Sequence, residues 1–333
     1  MVDLARDMSG SMALQQVESA LAAADWDNAS VAEKIEMLVE IATGLQVRPK
    51  TAADILGALR LYDRALDLCP QESTVLAARI KARRGSALQA LPNATLEQLE
   101  EVAQAFATAL GVLNGHAGAE EVAEIEMNLG LIKHTLASYG KGRLNESVAH
   151  YQRALRTFTR ERFPAEYATL HNNLATAYLA MPSNDQTGRL REALAVQSFE
   201  AALECVSLEE FPNEYAMLQN NLGNALQNSA TGHVLANRAR AIQAYEEALK
   251  VRNAANQPGA YANTIANLAS CLANLPDDIE KPELGNAHNF ERARQLYLEA
   301  LRIFRLQGEV DKVAAMEAAL HDFSPFPPAE IPT

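Results

Sequence analysis

Apolar residues step along this chain by threes and fours: Tyr167, Leu170, Leu174 and Tyr178 in one segment, and Val196, Phe199, Leu203 and Val206 in the next. That interval returns side chains to one face of a 3.6-residue helix, so each segment reads as an amphipathic α-helix. The pattern recurs. An Ala-Leu pair with an aromatic three positions ahead of the alanine occurs at Tyr62/Ala65-Leu66, Phe106/Ala109-Leu110, Tyr151/Ala154-Leu155, Phe199/Ala202-Leu203, Tyr245/Ala248-Leu249 and Tyr297/Ala300-Leu301. Successive alanines are 44, 45, 48, 46 and 52 residues apart. Between them runs a second phrase, Glu166-Tyr167-Ala168 through Asn172-Asn173-Leu174, which returns as Glu214-Tyr215-Ala216 through Asn220-Asn221-Leu222. Looser copies end at Asn128-Leu129 and Asn267-Leu268, and a degenerate one ends at Arg83-Arg84-Gly85.

Proline suits a linker or a helix's first turn, and Phe163-Pro164, Phe211-Pro212 and Gln257-Pro258 therefore mark where new helix pairs begin. Polar stretches such as Pro182 through Gly188 read as loops inside the pairs. A lone pair of amphipathic helices cannot bury both apolar faces, whereas stacked pairs share one core, so an all-α solenoid is expected. Small residues support close crossings: Ala58, Ser147, Ala195, Ala241 and Ala293 each lie seven positions before a repeat alanine, and Gly130, Ala175, Gly223 and Ala269 follow the repeated leucines.

Composition narrows the function. The 333 residues are 48% hydrophobic but only 6% aromatic, and 42 acidic against 29 basic side chains leave a net charge of −13. No positive field is available to gather phosphates, so nucleic acid is an unpromising partner. No stretch approaches a membrane span, and the first ten residues lack an apolar leader core, so a cytoplasmic location is expected with no membrane partner. Cys69, Cys205 and Cys271 are far apart and read as small buried hydrophobes.

Leu174-Ala175, Tyr178, Ala195, Phe199 and Ala202, and again Leu222-Gly223, Ala241, Tyr245 and Ala248, follow the order of the tetratricopeptide signature. The chain resembles a tetratricopeptide repeat (TPR) protein. Its units exceed the usual length of about 34 residues, and the Tyr-Ala-x-x-x-Asn-Asn-Leu phrase is similar to kinesin-light-chain-type repeats. The resemblance implies a right-handed superhelix with capping helices. The expected layout is N-terminal helices or cap over 1–50, the repeat array over 51–306, a capping helix over 307–323 and a Pro-rich, disordered tail over 324–333. The phrasing from Phe163 to Pro182 is also similar to TPR proteins associated with bacterial [NiFe]-hydrogenases, which implies an accessory or maturation role.

Reactive constellations are sparse. Seven histidines are scattered without a metal-ligand spacing, and no dinucleotide, P-loop or serine-hydrolase motif occurs. No cofactor and no metal are expected, and an enzyme or cofactor carrier built on a solenoid is the alternative to a binding module. One polar feature follows the repeat: Asn128, Asn173, Asn221 and Asn267 immediately precede the repeated leucine, with Arg83 in the degenerate copy. The resemblance places this position on the concave groove, where an amide offers both donors and an acceptor to an extended peptide backbone. Asn172, Asn220 and Asn224 belong to the same face, and Lys133 with Arg79, Lys81, Arg83 and Arg84 makes the earlier half basic, ready for a carboxylate. The later half reads as amide-rich and uncharged. The expected function is a non-catalytic scaffold or adaptor for a peptide or client protein, its oligomeric state open. The same asparagines could instead bond between adjacent repeats and set their stacking.

Overall fold

A computed structural model of the chain describes residues 12–26, 29–47, 49–182 and 186–321. The expected Pro-rich tail over 324–333 and positions 183–185 of the expected loop lie outside them. Among the described residues every regular element is helical. In chain order these are α1 (Met12–Ala24), α2 (Val31–Val47), α3 (Ala52–Leu68), α4 (Thr74–Gln89), α5 (Leu96–Leu113), α6 (Ala119–Ser138), α7 (Leu144–Ala154), α8 (Pro164–Ala180), α9 (Gln186–Leu203), α10 (Pro212–Asn228), α11 (Val234–Leu249), α12 (Pro258–Ala273), α13 (Ala287–Gln307) and α14 (Val310–His321), with a 3₁₀ turn at Pro282–Leu284.

The chain divides into two compact units, Met1–Thr159 and Arg160–Thr333. In the first, α2 packs along α3, α4 along α5 and α6 along α7, and each pair leans on the next. In the second, α8 pairs with α9, α10 with α11 and α12 with α13 in the same way, and α14 closes against α13. This is the repeating helix-pair architecture that the periodicity predicts.

Local chemistry explains the boundaries. Pro164, Pro212 and Pro258 open α8, α10 and α12, where a missing N–H costs nothing. Thr95 and Gln98 cap α5 reciprocally: the Thr95 hydroxyl accepts from the Gln98 N–H (3.3 Å), and the Gln98 side chain accepts from the Thr95 N–H (2.8 Å). Gly308, at φ 72°, ends α13 in the left-handed conformation that a side chain resists. At the expected Pro182–Gly188 loop the structure differs: α9 already begins at Gln186, so Gln186, Thr187 and Gly188 are helical.

The repeat phrase forms the core. Tyr62, Phe106, Tyr151, Phe199 and Tyr245 are all 0% exposed, and the small residues seven positions before each repeat alanine are equally enclosed. Gly130 and Gly223 let the first helix of a pair approach its partner's ring. A Cβ on Gly130 would lie 2.6 Å from Tyr151, and one on Gly223 would lie 2.5 Å from Tyr245. On α14, Val313, Met316 and Leu320 pack on the core of the second unit, the face their spacing predicts. Helix α2 carries no repeat phrase, yet the hydroxyl of buried Tyr62 on α3 donates to Gln46 of α2 (2.8 Å) and meets Thr43 (3.1 Å).

Candidate functional site

Within residues 160–333 the first helices of the pairs, α8, α10 and α12, meet through uncharged polar side chains. Asn221 Nδ2 donates to Asn172 Oδ1 (3.4 Å), and Asn172 Nδ2 donates to Asn173 Oδ1 (3.3 Å). Between α10 and α12 the Thr264 hydroxyl reaches Asn220 Oδ1 (3.2 Å), and Gln227 Nε2 donates to Ser270 (2.9 Å). Among residues 1–159 the counterpart is Asn128 Nδ2 donating to Ser86 Oγ (3.3 Å). Asn267 is half-buried and makes no side-chain hydrogen bond among the described residues. The amide-to-amide contacts are at or beyond the long end of the hydrogen-bond range, so they order the carboxamides while leaving much of their capacity open.

Asn224 has a different duty: its carbonyl oxygen and that of Gln227 share the single proton of the enclosed Tyr245 hydroxyl (2.8 and 2.9 Å). Buried tyrosines thus recruit polar groups from the first helix of their pair, a reason for polar residues there that the spacing alone does not reveal. Tyr151 lacks that service, since Leu131 and His134 stand in the equivalent places, and its buried hydroxyl has no partner among the described residues. Burial accordingly pushes its ionisation far up.

The earlier basic residues are largely engaged by the chain's own carboxylates. Arg79 grips Glu121 with Nε and Nη2 (2.7 and 3.0 Å), and Lys133 pairs with Glu146 (3.0 Å). Arg84 bridges Asp63 of α3 and Glu101 of α5, which turns it toward the second helices of the pairs. Arg83 and Lys81 are exposed. The opposite correction applies to the later half, read as uncharged: Arg252, just after α11, places Nη1 2.9 Å from the Thr264 hydroxyl, beside Asn220.

A mainly apolar cleft of about 340 Å³ opens between α8 and α10, lined by Ala168, Asn172, Cys205, Val206, Phe211 and Met217 among others. Phe211 and Met217 are 47% and 39% exposed, so the cleft has adaptable apolar walls beside an amide edge. Behind it the second helices are joined by ion pairs, Arg240 with Glu200 and Arg292 with Glu246. Among the described residues no three His, Cys, Asp or Glu side chains converge as a metal-binding group. No helix there is long and apolar enough to cross a membrane.

No protein-family model matches the chain, and no curated protein matches it by sequence. Among solved structures, the crystal structure of BtubC (BKLC) from P. vanneervenii aligns with 99% of this chain and 97% of its own, at 19% identity and a TM-score of 0.42.

Proposed function

We propose that this chain is a non-catalytic scaffold that holds an extended segment of a client protein along the first helices of its pairs, on the side that the tetratricopeptide resemblance makes concave. The observation that carries this reading is the run of uncharged polar side chains across α8, α10 and α12, weakly bonded carboxamides on the first two and carboxamides with hydroxyls on the third, next to an apolar cleft. Amides offer donors and acceptors to a peptide backbone irrespective of its sequence, and the cleft between Phe211 and Val206 takes an apolar side chain. Binding of this kind needs no covalent step and no cofactor.

The test replaces Asn173, Asn221 and Asn267 together with Ala. Each change surrenders at most one long hydrogen bond, about 0.5–1.5 kcal/mol, and gains up to about 0.7 kcal/mol of helix propensity. The two nearly cancel, so the unfolding midpoint should hardly move. Enrichment of binders from a displayed library of random unstructured peptides should fall strongly. A variant that loses several kcal/mol of stability while keeping its peptides would assign the asparagines to repeat stacking and reject the reading.

A further inference from the structure

The repeats can be compared with one another column by column. Four residues after each repeat alanine stand Cys69, Leu113, Phe158, Val206, Arg252 and Phe304. Three residues before each repeated asparagine stand Ile125, Leu170, Leu218 and Thr264. Leu113, Phe158, Val206 and Phe304 are buried, as are Ile125, Leu170 and Leu218. The two columns meet where one pair closes on the next, for Val206 and Leu218 line the same cleft. At Arg252 and Thr264 both become polar at once. Thr264 is 0% exposed, and its hydroxyl accepts from Arg252 while lying within reach of Asn220 and the Ala260 carbonyl.

The guanidinium is only partly satisfied. Its Nε is buried without a partner, and Nη2 has none among the described residues yet is not enclosed. Nε and Nη2 form the edge with which Arg79 grips both oxygens of Glu121. In Arg252 neither atom of that edge has a partner among the described residues, only Nη2 reaches the surface, and burial disfavours the charge with no carboxylate among those residues offsetting it. Arg84 is also strongly desolvated, but Asp63 and Glu101 more than compensate. An apolar residue would close this wedge at lower cost, as in four of the other repeats.

We propose that Arg252, held on Thr264 between α10 and α12, receives the side-chain carboxylate of an aspartate or glutamate within the extended client segment. The proposal rests on the scaffold reading and gives it a selectivity. A side chain is the source, rather than a chain terminus, because uncharged polar side chains continue on both sides of the wedge, Asn172 and Asn221 one way and Asn267 and Ser270 the other. A strand laid along them passes this point.

Three pools of short random peptides test it on the full chain: one C-terminally amidated with a fixed central Glu, one amidated with Gln there, and one with Gln and a free terminal carboxylate. The wild type should bind the Glu pool about tenfold tighter than either Gln pool, the scale of a charge-assisted pair. Arg252→Val with Thr264→Leu restores the apolar pair of the other repeats; it should fold with an unchanged or higher midpoint and bind all three pools alike. Equal binding of the amidated pools by the wild type overturns the proposal and leaves the scaffold standing. A Glu preference that survives in the double variant, or a free-carboxylate pool that matches the Glu pool, also overturns it. Should the wild type bind no pool, the scaffold reading falls, and acetate titration decides the site. The Arg252 Nε–H resonance should then shift with acetate and stay fixed with acetamide; no shift with acetate overturns the proposal.

Discussion

Gly223→Ala tests whether the close approach of α10 to α11 is as tight as the repeat register requires. The new methyl would stand 2.5 Å from Tyr245 Cε1 and 2.8 Å from Cδ1 and Cζ, against about 3.5–4.0 Å for carbon atoms at rest. The ring therefore has to retreat by about 1 Å. It is 0% exposed, and its hydroxyl is tied to Asn224 and Gln227, so retreat strains both the packing and those two bonds. Overpacking of this kind costs about 1–3 kcal/mol, and weakening the bonds adds about 1 kcal/mol. Helix propensity returns about 1 kcal/mol. A net loss of about 1–3 kcal/mol follows, a drop in midpoint of roughly 2–12 °C for a unit of this size. Ala175 fills the same register position opposite Phe199, so Ala175→Gly is the control and should lose about 2 kcal/mol, roughly half from helix propensity and half from the buried methyl. Thermal and urea unfolding followed by circular dichroism, with amide exchange on α10 and α11, reads the result. A Gly223→Ala protein as stable as the wild type, or more so, refutes the packing argument.

Two further outcomes follow from the ionisation of buried groups. Burial alone would raise the Glu126 carboxyl, but hydrogen bonds from His150 (2.5 Å) and Arg153 (2.8 Å) hold it below the usual 4.5. A depressed carboxylate contributes stability above its unfolded value and loses it as pH falls through the folded one. The stability gap between wild type and Glu126→Gln, measured by urea unfolding, should therefore narrow below about pH 4.5; a gap independent of pH in that range counts against the pairing. Cys205 lines the cleft and its thiol is raised, first by burial, while Cys271 is fully enclosed and pushed up to about 11. Peptide binding should slow alkylation of Cys205 but not of Cys69, read by mass spectrometry, and equal rates with and without peptide would remove the cleft from the binding surface.

The helix pairs were legible because stacking demands the same few shapes at every repeat. A ring between two small residues leaves a written trace, and Tyr62 to Tyr245 are buried where that trace puts them. Prolines at 164, 212 and 258 were legible for a simpler reason, since a residue without an N–H has few places in a helical chain. Helix α2 carries no repeat phrase although Ile35, Leu38 and Ala42 are buried in the core, and its Thr43 and Gln46, which serve the Tyr62 hydroxyl, look like surface in one dimension. Gln186–Gly188 were misread as a loop because glycine and polar composition mimic a turn, whereas neighbouring helices sustain a helix that propensity alone would not. The asparagine column was visible, but not that Asn224 answers to a tyrosine on the next helix. Arg252 could have been found without coordinates by writing the repeats beneath one another and reading the column of Leu113, Phe158, Val206 and Phe304.

The two sides of the stacked pairs in residues 160–333 solve the same problem with different chemistry, and the difference bears on selectivity. Second helices are joined by ion pairs between exposed side chains, which contribute little stability but leave those charges mutually satisfied. First helices are joined by carboxamides and hydroxyls, which on the proposed reading would accept a peptide backbone without regard to its side chains. A face made only of such groups would hold many segments about equally well, and a net charge of −13 would bias it weakly against acidic ones. On the proposed reading, discrimination then falls to the apolar cleft between α8 and α10, where the repeat columns stay apolar, and to the guanidinium one pair further on, where they break. If the cleft takes an apolar side chain and Arg252 a carboxylate, as proposed, the two lie one repeat apart and would fix both the order and the spacing of the side chains a client must present, which a uniform amide ladder cannot do.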